Sequence, residues 1–322
     1  MPTLYSNIDT GAPALSVGLG DAYVFGGLKT ILKACLVTGY NSRPAAGWTL
    51  VAEDSGYLVL RNGPGSGYIC FTLTTNSFVR VTLSATFDGV VSNIITGQGV
   101  KTGTAANNAV PQLFFLSGLA SNTRYCWSVV ADEKSAVLTA YWYSNNAGQA
   151  YENMTAQSWP GFTMAIGEDS SGNFMAFGGS NTTSTASNVV NHFNNAGMTV
   201  LRDPATGLLI DTGSISPVAP LGVTTSPAGT TVYPLERVDI VRFPWMTTTK
   251  DAGNIRGVLV QSNAVGCMNY ALRSVGRGAV VGDITLNNAA NPFDLVSGLK
   301  VVPLKCYYTP GGLFMTDDVR FW

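Results

Sequence analysis

Charge is what this sequence has least of. Charged side chains are 11% of its 322 residues, against about 25% in an ordinary soluble domain. The 18 Lys and Arg nearly balance the 19 Asp and Glu, for a net charge of −1. The basic residues are scattered, which removes the electrostatic footprint of sequence-independent nucleic-acid binding. There is a single histidine, His192, so metal sites built from two or three histidines of one chain are excluded. The five cysteines, Cys35, Cys70, Cys126, Cys267 and Cys306, are odd in number and form no CxxC pair. That removes the usual zinc and redox patterns and leaves buried small hydrophobes as the expectation. No apolar run approaches the roughly 20 residues of a membrane-spanning helix. Residues 1–11 hold neither a basic nor an apolar block, unlike a secretory leader. The expected site of synthesis is therefore a cytoplasm.

What is present is apolar residues at an ordinary 46% and 36 glycines, with Ser, Thr and Asn where charge would otherwise stand. A chain of this length buries roughly 75% of its unfolded surface and needs no disulfide or metal to fold. A nearly neutral polar surface suits a subunit packed against neighbours, because every charge in an interface must be paired or desolvated. Secreted β-proteins share this composition, and composition alone leaves both open.

The patterning is mainly that of strands. Residues 1–22 are extended and turn-rich, and read as an N-terminal arm ordered by a neighbour, whose removal should leave a folded protein. Residues 25–38 are the one convincing helix. Leu28, Ile31, Leu32, Cys35 and Leu36 form an apolar stripe, Lys29 and Lys33 lie away from it, and Gly39 is placed to end it. Residues 57–61 and 67–74 flank the turn Asn62-Gly63-Pro64-Gly65. In residues 78–86, Val79, Val81, Leu83 and Ala85 alternate with Arg80, Thr82, Ser84 and Thr86, which predicts a strand buried on one face. Asp88-Gly89 reads as a turn and residues 92–110 as a long loop. Strands are expected at 112–116, 124–131 and 135–143, with a hairpin turn at Asp132-Glu133-Lys134. A further hairpin pairs 162–166 with 173–177. Residues 180–195 read as a polar loop or short helix, and 206–227 as loop. Later strands are expected at 237–243, 255–261, 278–285, 299–308 and 312–315, with a docked aromatic end at 319–322. The expected fold is mainly β, antiparallel sandwich or barrel-like sheets with one amphipathic N-terminal helix and long loops. It is organised as an arm (1–22), a β-rich domain (23–180) and a second β-rich region (181–322) that is separate from or continuous with the first.

Residues able to carry chemistry are few. A catalytic triad would have to use His192, and no GxSxG supplies a nucleophile. The adjacent acids Glu53/Asp54, Asp132/Glu133, Glu168/Asp169 and Asp317/Asp318 point apart in a strand or turn, so none is by itself a glycosidase pair. Glu168-Asp169-Ser170 is a conceivable calcium turn without EF-hand spacing. Gly63-Pro64-Gly65-Ser66-Gly67 lacks the Lys-Ser/Thr of a phosphate loop. Tyr141, Trp142 and Tyr143 would either stack on a sugar or fill the core. The expectation is no catalytic, metal or cofactor site.

One segment carries a resemblance. Leu32-Lys33-Ala34-Cys35-Leu36-Val37-Thr38-Gly39-Tyr40, then Ser42-Arg43-Pro44-Ala45-Ala46-Gly47-Trp48-Thr49, resembles a motif of tailed-phage virion structural proteins that reads "DACLVNGYGSKPAAGWT". Val129-Val130-Ala131-Asp132-Glu133-Lys134 is similar to the "LVADDK" hairpin of the same family. The likeness is densest over residues 1–90, thinner to 180 and sparse beyond. It departs at Lys33, Thr38, Asn41 and Arg43, and Lys33 reverses a charge. The resemblance implies a virion structural protein, made in the host bacterium, with no catalytic residue. Its implied partners are other virion proteins of capsid or tail and further copies of itself, a trimer being preferred. Direct nucleic-acid or membrane binding is not expected. A capsid decoration or cement protein is the first expectation. A tail, baseplate or neck component that binds a host glycan is the alternative, and a glycan-active enzyme is a distant third.

Overall fold

The period-two pattern at residues 78–86 becomes a strand at the centre of one face of the protein. The computed structural model describes residues 1–16, 21–74, 78–100, 112–114, 124–143, 162–180, 196–202, 208–209, 215–218, 235–242, 254–261, 280–281, 284–285, 293–296, 299–303 and 313–322. The first strands are β1 (Thr3–Ser6), β2 (Leu15–Ser16), β3 (Thr49–Asp54), β4 (Tyr57–Arg61), β5 (Tyr68–Leu73) and β6 (Phe78–Ser84). A short hairpin, β7 (Gly89–Val91) and β8 (Ile94–Thr96), precedes β9 (Gln112–Phe114). Then come β10 (Arg124–Ala131), β11 (Ser135–Tyr143), β12 (Phe162–Glu168), β13 (Phe174–Ser180) and β14 (Ala196–Val200). They form a 12-stranded sheet in the order β1-β10-β11-β12-β13-β9-β6-β5-β4-β3, with β2 also on β10 and β14 also on β13. Every pairing is antiparallel except the contact of β13 with β9.

The mainly β, antiparallel architecture agrees with the sequence pattern. Both halves of the sheet turn apolar residues to one core. Leu58, Leu60, Ile69, Phe71, Val79, Val81 and Leu83 come from β4–β6, and Trp127, Val129, Leu138, Met164, Ile166 and Phe174 from β10–β13. The helix α1 (Asp21–Lys33) lies in the same core through Val24, Phe25, Leu28, Ile31 and Leu32. It begins four residues before the periodicity suggested. The coil then widens to a π-helix over Ala34–Thr38, with Cys35 and Leu36 buried. The last carbonyls of a helix lack intrahelical partners. Here the returning chain supplies them: the amide of Ala46 donates to Cys35 O, and those of Gly47 and Trp48 to Leu36 O. Gly39 makes the reversal with φ 74°, and a Cβ there would sit 2.6 Å from Arg43 O.

Three expectations change. Residues 1–16 are extended as expected, but they are not an arm held by a neighbour. β1 pairs with β10 from Thr3↔Ala131 to Ser6↔Ser128, and Tyr5 is fully buried. An aromatic of that size is worth about 1.5–3 kcal/mol when buried, so removing this segment would damage the fold. Second, β6 is buried on both faces: Thr82 and Ser84 are as inaccessible as Val81. The cause is the β7–β8 hairpin, whose turn and second strand fall in the expected loop 92–110. It packs Ile95 on Val59 and Cys70, on the outer side of the sheet. Its turn residues Ser92 and Asn93 both have positive φ, the geometry of the tight hairpin turn normally signalled by Asn-Gly. Third, Lys29, placed by the periodicity away from the apolar stripe, is buried all the same; its Nζ donates to Asp54 O at 2.6 Å.

The remaining strands are β15 (Ile215–Val218), β16 (Leu235–Arg242), β17 (Asn254–Gln261), β18 (Val280–Val281), β19 (Ile284–Thr285), β20 (Phe293–Val296), β21 (Leu299–Pro303) and β22 (Leu313–Met315). Six of them make a second antiparallel sheet, β15-β16-β17-β22-β21-β20. β15 falls inside the expected loop 206–227, so that loop is corrected to contain a strand. β14, assigned by sequence to the second region, belongs to the first sheet, and Leu201 beyond it enters the first core. Residues 180–195, apart from Ser180 at the end of β13, lie outside the described residues.

Gly39→Ala should lower stability by at least about 1–3 kcal/mol, the usual cost of a strained positive-φ residue, with the close approach to Arg43 O adding to it. Urea unfolding measures this; an unchanged midpoint would show that the reversal is not tight.

Candidate functional site

Two polar junctions, one partly buried and one buried, are the most organised clusters of functional groups among the described residues, and both involve the resembling motif. The first is built on Asp9, just beyond β1. The Asn7 amide donates to Trp127 O in β10. Strand alternation then turns the backbone groups of Ser6 outward, away from β10. Asp9 covers them: its Oδ2 accepts from the Ser6 amide at 2.9 Å, and its own amide donates to Ser6 O at 3.0 Å. The same carboxylate takes Tyr40 OH at 2.8 Å and a fork from Arg43, Nε at 3.1 Å and Nη2 at 2.7 Å. Tyr5 OH donates to Pro44 O at 2.7 Å, and Trp127 Nε1 to Pro13 O at 2.9 Å. Tyr40 sits between Tyr5 and Trp127, with ring centroids 6.0 and 6.4 Å away.

Electrostatics fix the protonation states here. Partial burial raises the Asp9 carboxyl, but the hydrogen bonds from Arg43, the Ser6 amide and Tyr40 outweigh it and hold the group below the usual aspartate value. Burial and the Asp9 charge push Tyr40 upward, so it remains a neutral donor. Burial pushes Tyr5 up to about 12. The buried thiols of Cys35 and Cys70 are raised by desolvation, and both are free. A thiol raised in this way is a packing group, as expected for these two, and not a nucleophile. Cys126 lies in β10, but its side chain, like Cys267 and Cys306, is outside the described residues.

The second junction lies at the hairpin tip between β10 and β11. Asp132 Oδ1 accepts from the amides of Lys134 and Ser135, each at 2.9 Å. Its carbonyl accepts Trp48 Nε1 at 2.9 Å. Its Oδ2 receives Arg256 Nη2 at 2.6 Å, and both side chains are 9% exposed. Arg256 also donates from Nη1 to Ser135 Oγ at 3.3 Å, and Ser135 Oγ donates to Glu168 O at 2.6 Å. Asn62 lies beside it, with Nδ2 within reach of Ser66 Oγ, Lys134 O and, at 3.4 Å, Glu168 Oε1.

In the sequence the acids stand as neighbours in the chain. The structure joins Asp132 and Glu168 instead, because the two hairpin tips are adjacent in the sheet and both bind Ser135. Arg256, from the second sheet, was not anticipated; a lone arginine in a strand gives no signal of a partner 124 residues away. Chemically the cluster holds charge without moving it. The Ser135 proton goes to a carbonyl, and the Asp132 oxygens already accept three donors. Three further acids are also engaged. Glu53 binds Lys33 at 2.7 Å and Lys29 at 3.4 Å. Asp169 accepts from Ser171, from the Asn173 amide and from Asn173 Nδ2. Asp318 holds Arg320. Among the described residues no group of three His, Cys, Asp or Glu is placed to hold a metal ion. His192 lies outside the described residues, and so do the side chains of Tyr141, Trp142 and Tyr143, whose backbone is the end of β11. No described helix is long and apolar enough to cross a membrane.

Compared with protein families, with curated proteins and with solved structures, the chain gives no match in any of the three.

The Asp9 junction carries a pH signature. A carboxyl held below its unfolded value, about 3.9 for aspartate, adds stability that is fully present above that value. The contribution disappears as pH falls through the folded pKa. Asp9→Asn should therefore reduce stability at neutral pH and flatten the acid limb of the stability curve below about pH 4. Thermal melts across pH measure this; superimposable acid limbs for the two proteins would remove Asp9 from the account.

Proposed function

We propose that this protein is a structural component of a tailed-phage virion, and first of all a decoration or cement protein on the head. The observation that carries the reading is the motif at residues 32–49 together with the way its side chains are used. Cys35, Leu36 and Trp48 are buried. Tyr40 and Arg43 grip Asp9. The Pro44 carbonyl anchors Tyr5. A motif whose aromatic and buried groups, Cys35, Leu36, Tyr40 and Trp48, are engaged inside the chain supports building over chemistry, which suits the virion family that it resembles. The low charge supports the same reading. A subunit surrounded by like copies and by lattice partners gains from a surface that costs little to desolvate.

In this reading the partners are major capsid or tail proteins and further copies of this chain, with closed cyclic symmetry. Asp9 occupies the outward backbone groups of Ser6 at the end of β1, which disfavours docking of another strand there. Host-glycan binding through Tyr141, Trp142 and Tyr143 belongs to the tail alternative.

Quantitative mass spectrometry of purified particles, calibrated on the major capsid protein, tests the proposal. A head decoration protein is expected at copy numbers on the order of hundreds, following the lattice symmetry. Copies in small multiples of three or six would move it to the tail. Absence from purified particles would overturn the proposal.

A further inference from the structure

The segment after β22 does something the resemblance does not mention. Residues 316–322 turn back across β17. The Thr316 amide donates to Gly257 O at 2.9 Å, and a 3-10 turn over Val319–Phe321 is capped by Asp318. Trp322 Nε1 then donates to Thr316 O. The indole packs against Gly257: a Cβ there would come within 2.3 Å of its Cζ2. Gly257 has φ +69°, so glycine is required both for the backbone and for the space. Over the other side of the seat lies Arg256, its guanidinium carbon 5.6 Å from the Trp322 ring centroid. That guanidinium reaches Asp132 and Ser135 of the first sheet.

We propose that residues 316–322 are a strap that governs a latch between the two sheets. With Trp322 seated on Gly257, the arginine is covered on one side by the indole and on the other by the β10–β11 tip. Water is kept from the Arg256–Asp132 pair, and a desolvated charge pair is far stronger than a hydrated one. With the strap lifted, water reaches the guanidinium, the pair weakens, and β17 loses its hold on β11. The latch also reaches the motif, because Asp132 uses its carboxylate for Arg256 and its carbonyl for Trp48. Seating of the strap and anchoring of the motif thus meet on one residue. The device requires no ligand; any contact that binds or lifts residues 316–322 would work it.

The test is a double-mutant cycle on the full chain, read by hydrogen exchange of β17 amides. Trp322→Ala should speed exchange at Val258 and Leu259 by roughly tenfold while β5 amides stay protected. Asp132→Asn should do the same, and adding Trp322→Ala to it should change the rate by less than about twofold, since the two act on one latch. If Asp132→Asn does not fold, Arg256→Lys takes its place in the cycle with the same expected non-additivity. Independent, multiplying effects would overturn the proposal, and so would unchanged β17 exchange in Trp322→Ala.

Discussion

One aspartate at a hairpin tip ties the molecule together. Asp132 closes the β10–β11 turn with one carboxylate oxygen, holds Arg256 of the second sheet with the other, and receives the Trp48 indole on its carbonyl. A buried carboxylate is tolerable only when it is paired and fully hydrogen-bonded. Those conditions dictate what surrounds it. A short turn brings two amides within reach, an arginine must come from elsewhere, and a tryptophan is drawn in beside the turn. Two of the three ties join segments 84 and 124 residues apart in the chain. Because they meet on one group, they stand or fall together.

Asp9 plays the matching role at the other side of the motif. It blocks the outward groups of Ser6 at the edge of the large sheet, where an open strand would invite pairing with another chain. It also grips Tyr40 and Arg43 at the reversal after the π-helix. The motif is therefore held from both sides by acids that it does not itself contain. Arg43 stands where the resembling family has lysine. A guanidinium is the better partner for this site, since it can present two parallel donors to one carboxylate. The departure at Lys33 has a similarly local explanation: its Nζ binds Glu53 in β3.

Much of this fold was legible in the sequence, because most of its strands obey the period-two rule. The strands at 57–61, 124–131 and 135–143 run as read, and the apolar stripe, shared between α1 and the π-helix, is buried residue for residue. The failures share a cause. Thr82 and Ser84 look solvent-facing by polarity, yet a hairpin without the usual Asn-Gly covers them. Residues 1–16 look like a free arm because their short strands have no alternation long enough to recognise, yet Tyr5 and Leu15 anchor them in the core. The junctions were less legible still. Adjacent acids could be seen to point apart, but that Asp132 and Glu168 converge is a property of sheet order, which no local pattern encodes. Arg256 lies further off again, in another sheet.

The motif at residues 32–49 is held as an internal clasp. Native-state hydrogen exchange tests it most directly. The amides of Ala46, Gly47 and Trp48 donate to helix carbonyls, and that of Ser135 to Asp132. If the motif is a clasp, these four should exchange only through global unfolding, at the same slow limit as the core strands β5 and β10. Fast exchange at residues 46–48, with the core strands still protected, would show a motif that opens independently. That would contradict the claim and return the segment to the role of a surface for partners.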